Sequence, residues 1–235
     1  VLPHLPALLR RFTNLTSIKI NRSFTGDIDA LLSLIASFDL PSLHSLDISN
    51  KRTFSSHGLR QFSQKFPTLK SLNCFRTRPD LVLIAECFPN LEEIDVSYTS
   101  EYDDTDLHEK ALAFTSALTS GLKKLRKVNL SGNYFLEYSS IVTLCQNCVS
   151  LEALAVDDNI VNGIRERPQL RSLTVMSDVT LEVIDTFVSL KFLTFLDLSR
   201  SRISDEALCA LAEGGLPLRE LCLDRCRGYG FRGIS

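Results

Sequence analysis

The stretch Leu193–Cys226 reads LTFLDLSRSRISDEALCALAEGGLPLRELCLDRC and holds one short pattern twice. Leu193, Leu196 and Leu198 are apolar residues separated by two residues and then by one, and Leu218, Leu221 and Leu223 repeat that spacing 25 residues on. The last two apolar residues of each copy are two apart, so they share one side of a short strand, and the residues flanking and between them face the other way. Between the copies, Ala207, Leu208, Leu211 and Ala212 have helical spacing, and Asp205 is placed to cap that helix. Strand and helix thus alternate within a unit too small to bury its own apolar face.

The pattern recurs seven more times toward the N-terminus. The further copies are Leu15/Ile18/Ile20, Leu43/Leu46/Ile48, Leu69/Leu72/Cys74, Leu91/Ile94/Val96, Leu125/Val128/Leu130, Leu151/Leu154/Val156 and Leu170/Leu173/Val175. The steps run from 19 to 34 residues, and their mean of about 25 lies inside the window of leucine-rich repeats. Stacked units make one continuous core and a parallel sheet, and parallel strands need crossovers. The sequence predicts an α/β fold: a leucine-rich-repeat solenoid, or horseshoe, of about nine repeats in a single domain, 1–235. The sheet is expected on the concave face and mostly helical crossovers on the convex face. Helical stripes recur at Leu31–Ile35, Leu59–Phe66, Leu81–Phe88, Ile141–Cys148 and Val183–Val188, and Pro67, Pro89 and Pro217 stand just before the next anchor leucine, where a helix must have ended. Two steps depart from the period. The step of 19 contains Val161–Pro168, predicted to be an extended or 3-10 crossover. The step of 34 contains Thr99–Leu107, with Glu101, Asp103, Asp104 and Asp106, predicted to be an insertion on one rim.

Hydrophobic residues make up 44% of the 235, charged residues 23%, and the net charge is −2. These are ordinary globular values. Apolar runs are too short to span a bilayer, and no overall basic field exists to hold nucleic acid or an anionic membrane. Seven cysteines, an odd number in a chain too long to need disulfide staples, favour a reducing compartment, cytoplasmic or nuclear. Val1 is not an initiator methionine, and the chain reads as a piece of a longer one.

The chemical motifs are weak. Gly228-Tyr229-Gly230-Phe231-Arg232-Gly233 matches a dinucleotide fingerprint, but the helix and acidic residue such a site needs do not follow it. It reads as a glycine-rich turn. Cys145 and Cys148 form a C-x-x-C on a crossover helix about three units from Cys226, so a four-ligand zinc site is not expected and core packing is. His4, His44, His57 and His108 fit no catalytic pattern, with His44 alone read as a strand residue, beside Asp47. The acidic loop lacks the glycine and closing glutamate of a Ca²⁺ loop. The glycosylation sequons at Asn14, Asn21 and Asn129 read as incidental. No catalytic, cofactor or metal residue is assigned.

The ninth residue of each unit separates subclasses of this fold. Here these are Ser23, Lys51, Thr77, Thr99, Asn133, Asn159, Asp178, Ser201 and Cys226. The extracellular plant-receptor ending is absent. Instead the Leu193–Cys226 stretch closely resembles the cysteine-containing repeat of F-box leucine-rich-repeat proteins. The resemblance rests on Leu196-Asp197-Leu198, the Ile203-Ser204-Asp205 start, the Ala207–Ala212 helix and Leu221…Cys226. Pro41-Ser42-Leu43, Pro67-Thr68-Leu69 and Pro89-Asn90-Leu91 resemble that family's joint, and the middle units diverge as in plant members. The resemblance implies the substrate receptor of a cullin-RING ubiquitin ligase, whose F-box binds a Skp-type adaptor and whose repeats hold the protein to be ubiquitinated. Val1–Asn14 is too short for an F-box, so an adaptor is expected to bind only through a segment outside this chain.

Residues opposite the core should line one surface: Lys19, Asp47, Asn73, Asp95, Asn129, Ala155, Thr174, Asp197 and Cys222, flanked by positions such as Arg171. Repeat solenoids bind along such a face. The residues assigned to a protein partner are Lys70, Glu92, Glu93, Asp95, Arg126, Lys127, Asn129, Phe195, Asp197 and Arg219. The charges alternate in sign between units, which can select a complementary partner or merely keep a solenoid soluble. Phe195, and Tyr134 with Phe135, are candidate anchors, and the Thr99–Leu107 rim is a candidate place for a small molecule. The expected function is protein recognition without chemistry, as the substrate-binding part of an F-box-type receptor. The alternatives are the repeat segment of a plant immune receptor or other intracellular scaffold, or of a secreted or membrane receptor.

Overall fold

The computed structural model describes residues 4–20, 26–50, 55–76, 80–97, 107–134, 136–167, 169–176, 178–230 and 233. Nine parallel strands follow one another in chain order across one sheet: β1 (Ser17–Lys19), β2 (Ser45–Asp47), β3 (Ser71–Asn73), β4 (Glu93–Asp95), β5 (Lys127–Asn129), β6 (Ala153–Asp157), β7 (Ser172–Met176), β9 (Phe195–Asp197) and β11 (Glu220–Cys222). A second, two-stranded parallel ladder joins β8 (Asp178–Val179) to β10 (Arg202–Ile203). The register is unbroken. Ile18, Leu46, Leu72, Ile94, Val128, Leu154, Leu173, Leu196 and Leu221 form one row beneath the sheet. Leu221 in the last strand is 41% exposed, whereas Leu46, Leu72 and Leu196 are buried.

Most strands stop after three residues for a local reason. The side chains of Asp47, Asn73, Asp95, Asn129 and Asp197 each accept a hydrogen bond from the backbone N–H two residues on, at 2.8–3.2 Å. This Asx turn diverts the chain from the ladder. The equivalent residues in β6 and β7 are Ala155 and Thr174, which make no such turn. There the ladder continues through Val156↔Val175 and Asp157↔Met176.

The convex side carries α1 (Leu5–Arg11), α2 (Ile28–Ala36), α3 (Ser56–Lys65), α4 (Leu81–Cys87), α5 (Leu107–Ser120), α6 (Tyr138–Asn147), α7 (Leu181–Ser189) and α8 (Asp205–Glu213). Their apolar stripes bury Leu32, Ile35, Leu59, Phe62, Ile84, Ile141, Leu144 and Phe187 against the strand leucines. Asp27, Ser55, Asp80, Thr180 and Ser204 cap α2, α3, α4, α7 and α8 with side-chain oxygens. The cap of α8 is therefore Ser204 and not Asp205, which instead accepts a 2.6 Å hydrogen bond from the Gly230 N–H. The step of 19 is crossed by a 3-10 helix, Asp158–Glu166. Helices α1 and α5 carry no stripe picked out in the sequence. The Thr99–Leu107 insertion, apart from Leu107 itself, lies outside the described residues, as do Phe135, Asn21 and Ser23.

In three of the units the ninth residue has one structural task, met by three chemistries. The Asn133 amide donates to the Val96 carbonyl at 3.0 Å, the Ser201 hydroxyl to Val175 at 3.0 Å, and the Cys226 thiol to Leu198 at 2.9 Å. Each ties a turn to the end of the preceding strand, where buried backbone carbonyls would otherwise go unpaired.

Candidate partner-binding surface

Side chains at the first and third positions of each strand stand on the face opposite the core. The parallel register turns them into two rows. The third-position row is Lys19, Asp47, Asn73, Asp95, Asn129, Ala155, Thr174, Asp197 and Cys222, as the sequence pattern predicts. The first-position row places Glu93, Lys127, Ala153, Ser172, Phe195 and Glu220 side by side. A third row lies one residue earlier, where the backbones of His44, Lys70, Glu92, Arg126, Glu152, Arg171, Thr194 and Arg219 are linked by hydrogen bonds between units. His44 precedes its strand rather than lying in it, because β2 begins at Ser45.

The charged residues of these rows pair with one another. Lys70 Nζ lies 2.8 Å from Glu92, Arg126 lies 3.9 Å from Glu92 and 2.9 Å from Glu152, and Lys127 lies 2.6 Å from Glu93. The hydrogen bond from Lys70 holds the Glu92 carboxyl below its ordinary value, and Glu152 pushes the Arg126 guanidinium up. These groups are solvent-exposed, so the ladder contributes little stability. It neutralises the row and leaves small net field for steering a partner. Glu152, which completes the ladder, was missed in the sequence; its place one residue before the strand is the signal that finds it.

Asp95, Asn129 and Asp197 are likewise engaged in their own turns. Asp95 accepts from the Ser97 N–H at 2.9 Å and from the Asn129 amide at 3.1 Å. The Asn129 amide is thus held within the sheet, which leaves its sequon poorly presented. Phe195, half-buried, stands beside Ser172 on one side and Glu220 on the other. Arg219 has no ion-pair partner among the described residues.

Between the polar ladder and Phe195 the sheet is surfaced by small side chains. Ala153, Ala155, Ser172 and Thr174 floor a shallow recess of about 310 Å³, whose other wall is formed by Asn73, Glu93, Asp95, Lys127 and Asn129. The recess offers hydroxyls, an amide and neutralised charges at its edge.

Cys145 and Cys148 take structural places. Burial pushes the Cys145 thiol up to about 12 and the Cys148 thiol to about 11, and Cys148 donates to the Leu122 carbonyl at 3.2 Å. Thiols held protonated in this way are poor metal ligands. Among the described residues no group of three His, Cys, Asp or Glu side chains could hold a metal ion. The glycine-rich tail turns against α8: Gly228 has φ +96°, and a Cβ on Gly233 would meet Asp205. Phe231 and Arg232 lie outside the described residues. Among those described, no helix is long and apolar enough to cross a membrane.

No family model matches the sequence, and none of the curated proteins compared with it does. Solved structures do. The chain is similar to the leucine-rich repeat-containing protein LegL7 of Legionella pneumophila, at 15% identity over 87% of this chain and 81% of that one, with a TM-score of 0.53. It is similar to the internalin InlF of Listeria monocytogenes, at 16% identity over 97% of this chain and 66% of that one, with a TM-score of 0.53. It is also similar to TLR13 in its complex with ssRNA13, at 23% identity over 83% of this chain and 28% of TLR13, with a TM-score of 0.55. At these identities the likeness establishes the architecture alone. The chain folds as an α/β leucine-rich-repeat solenoid.

Proposed function

We propose that this chain is a protein-recognition module that performs no chemistry of its own and holds a protein partner on the outward face of the sheet. The observation that carries the reading is the recess at mid-sheet. Small side chains of β6 and β7 lie open between a neutralised polar ladder and the half-buried ring of Phe195. Such a surface supplies shape, hydrogen-bonding edges and one aromatic anchor, the ingredients of an interface core. Arg219 adds an uncompensated charge at the margin. Nucleic acid is disfavoured by charge and not by fold. The net charge is −2 and the cations of the ladder are spent on carboxylates, although the TLR13 structure is of a complex with ssRNA13.

The finer reading is the substrate-binding part of an F-box-type ubiquitin ligase receptor, acting in the cytoplasm or nucleus. Its support is the resemblance of Leu193–Cys226 to the cysteine-containing repeat, together with seven cysteines that are all free. A Skp-type adaptor would bind through an F-box outside this segment. The test is affinity capture from extracts of the source cells, run in parallel with Thr174→Arg/Phe195→Glu in the recess and Glu206→Arg on the convex α8. A protein retained by the unaltered chain and by Glu206→Arg, but lost from the recess variant, is expected. The same set of proteins on all three would overturn the reading. Co-purification of a Skp-type adaptor with the full-length gene product decides the ligase part separately.

A further inference from the structure

Beyond the sheet face, the rim at the C-terminal ends of the strands carries a second, chemically different surface. Arg200, Arg202, Arg225 and Arg227 line one depression of about 770 Å³, with Tyr134 and Met176 on its far side. Tyr134 is 70% exposed and Met176 36%. The arginines come in two pairs from adjacent units, set side by side by the bridge between Arg202 and Arg227. Among the described residues, the guanidinium groups of Arg200, Arg202 and Arg227 have no ion-pair partner. Arg225 meets only Asp224, at 3.6 Å, with both side chains over 70% exposed. This contrasts with the sheet-face ladder, where each of the cations Lys70, Arg126 and Lys127 has its carboxylate.

The backbone makes the arrangement more telling. Two residues past the second core residue of the strand, the chain turns through the left-handed region: Asn50 (φ 60°), Arg76 (58°), Gly132 (80°), Arg200 (67°) and Arg225 (56°). Glycine and asparagine take this conformation readily, and a long side chain does so at a backbone cost. Arg200 and Arg225 bear that cost and also stand among like charges. Neither feature stabilises the fold, and unfavourable local states of this kind collect where a ligand needs them.

We infer that this rim docks a carboxylate-rich segment of a protein partner through paired guanidinium forks. The inference rests on the protein-recognition reading and adds to it a second contact and its chemistry. Arginine binds carboxylates and phosphates two bonds at a time. Arginine, tyrosine and methionine are the side chains enriched at protein interfaces, and no lysine lines the depression. A nucleic-acid strand fits less well. The depression offers a single aromatic side chain, Tyr134, where successive bases need several to stack on.

The test is fluorescence anisotropy of the whole chain with three labelled probes: a short peptide of alternating glutamate and glycine, its lysine counterpart, and an oligouridine of matched length. The acidic peptide is expected to bind and the basic one not. Arg200→Gly/Arg225→Gly and Arg202→Ser/Arg227→Ser should each weaken binding about tenfold or more. Arg200→Gly/Arg225→Gly should not lower the melting temperature, so loss of binding cannot be loss of fold. Arg60→Ser/Lys65→Ser on the convex α3 should leave binding unchanged. Absence of acidic-peptide binding, an equal loss in the α3 variant, or tighter binding of oligouridine would each overturn the inference. If the captured protein is lost from the recess variant but kept by both arginine variants, the rim inference falls while the protein-recognition reading stands.

Discussion

Asp47, Asn73, Asp95, Asn129 and Asp197 stand where a partner would touch the sheet, and each side chain already accepts a hydrogen bond from its own turn. Sequence pattern places them on the outward face correctly. It cannot tell an outward polar side chain free for a partner from one folded back on its backbone, because both look like a polar residue at an outward-facing position. Gly58 is a second residue whose role only packing shows. It sits in the first turn of α3, and a Cβ there would meet the Asp29 carboxylate, which accepts from the Ser55 N–H at 2.9 and 3.1 Å. An exposed helical glycine gains up to about 1 kcal/mol on replacement by alanine. Here Gly58→Ala should instead destabilise by about 1–2 kcal/mol, by displacing the latch between neighbouring helices. Urea unfolding of the single variants and of Asp29→Ala/Gly58→Ala checks this, the double variant losing less than the sum.

At the scale of elements, the short crossover is the informative case. The step of 19 residues has no room for an α-helix, and of the two forms expected over Val161–Pro168, extended or 3-10, the 3-10 helix is found, at Asp158–Glu166. What holds it was not legible. The Thr186 hydroxyl, fully buried, donates to Asn162 Oδ1 at 2.8 Å and accepts from Arg165 Nε at 3.0 Å, and the Asn162 amide donates to Glu182 at 3.1 Å. This relay ties the 3-10 segment to α7. Thr186→Val keeps the shape and leaves two groups without their partner, so a loss of about 1–3 kcal/mol is expected in thermal or urea unfolding. Equal stability would show that the relay is dispensable. Helix α5 is not legible in the sequence because its weaker one-sidedness gives a poorer periodic signal.

For the whole molecule, the nine-fold pattern made the fold readable, since the same three apolar positions recur at every turn and a single register follows from them. Buried chemistry then sets the pH range of the solenoid. Cys145 and Cys148 ordinarily titrate at 9.0, burial raises both to about 12 and 11, and it pushes Cys74 up as well. A raised thiol value means that the folded state keeps protons the unfolded chain gives up. This contribution is fully present below about pH 9 and lost as the pH rises through the folded values, by up to about 1.4 kcal/mol per pH unit for each thiol. Asp47 has the opposite sign. Burial pushes it up, but hydrogen bonds from Ser49 and Lys19 outweigh that and hold it below its ordinary 3.8, so its contribution is lost as the pH falls below that value. Unfolding midpoints measured from pH 5 to pH 11 should therefore fall on the alkaline side, and Cys145→Ala/Cys148→Ala should flatten that limb; an unchanged limb would mean that the thiols are not buried as described.

The recognition claim is tested most directly by site-specific photo-crosslinking in the source cells. A photoreactive residue would replace Ala155 in the recess, or Cys209 on the exposed side of α8. The account predicts one recurrent protein crosslinked from position 155 and not from position 209. Equal labelling from both positions, or crosslinks from position 209 alone, would contradict it.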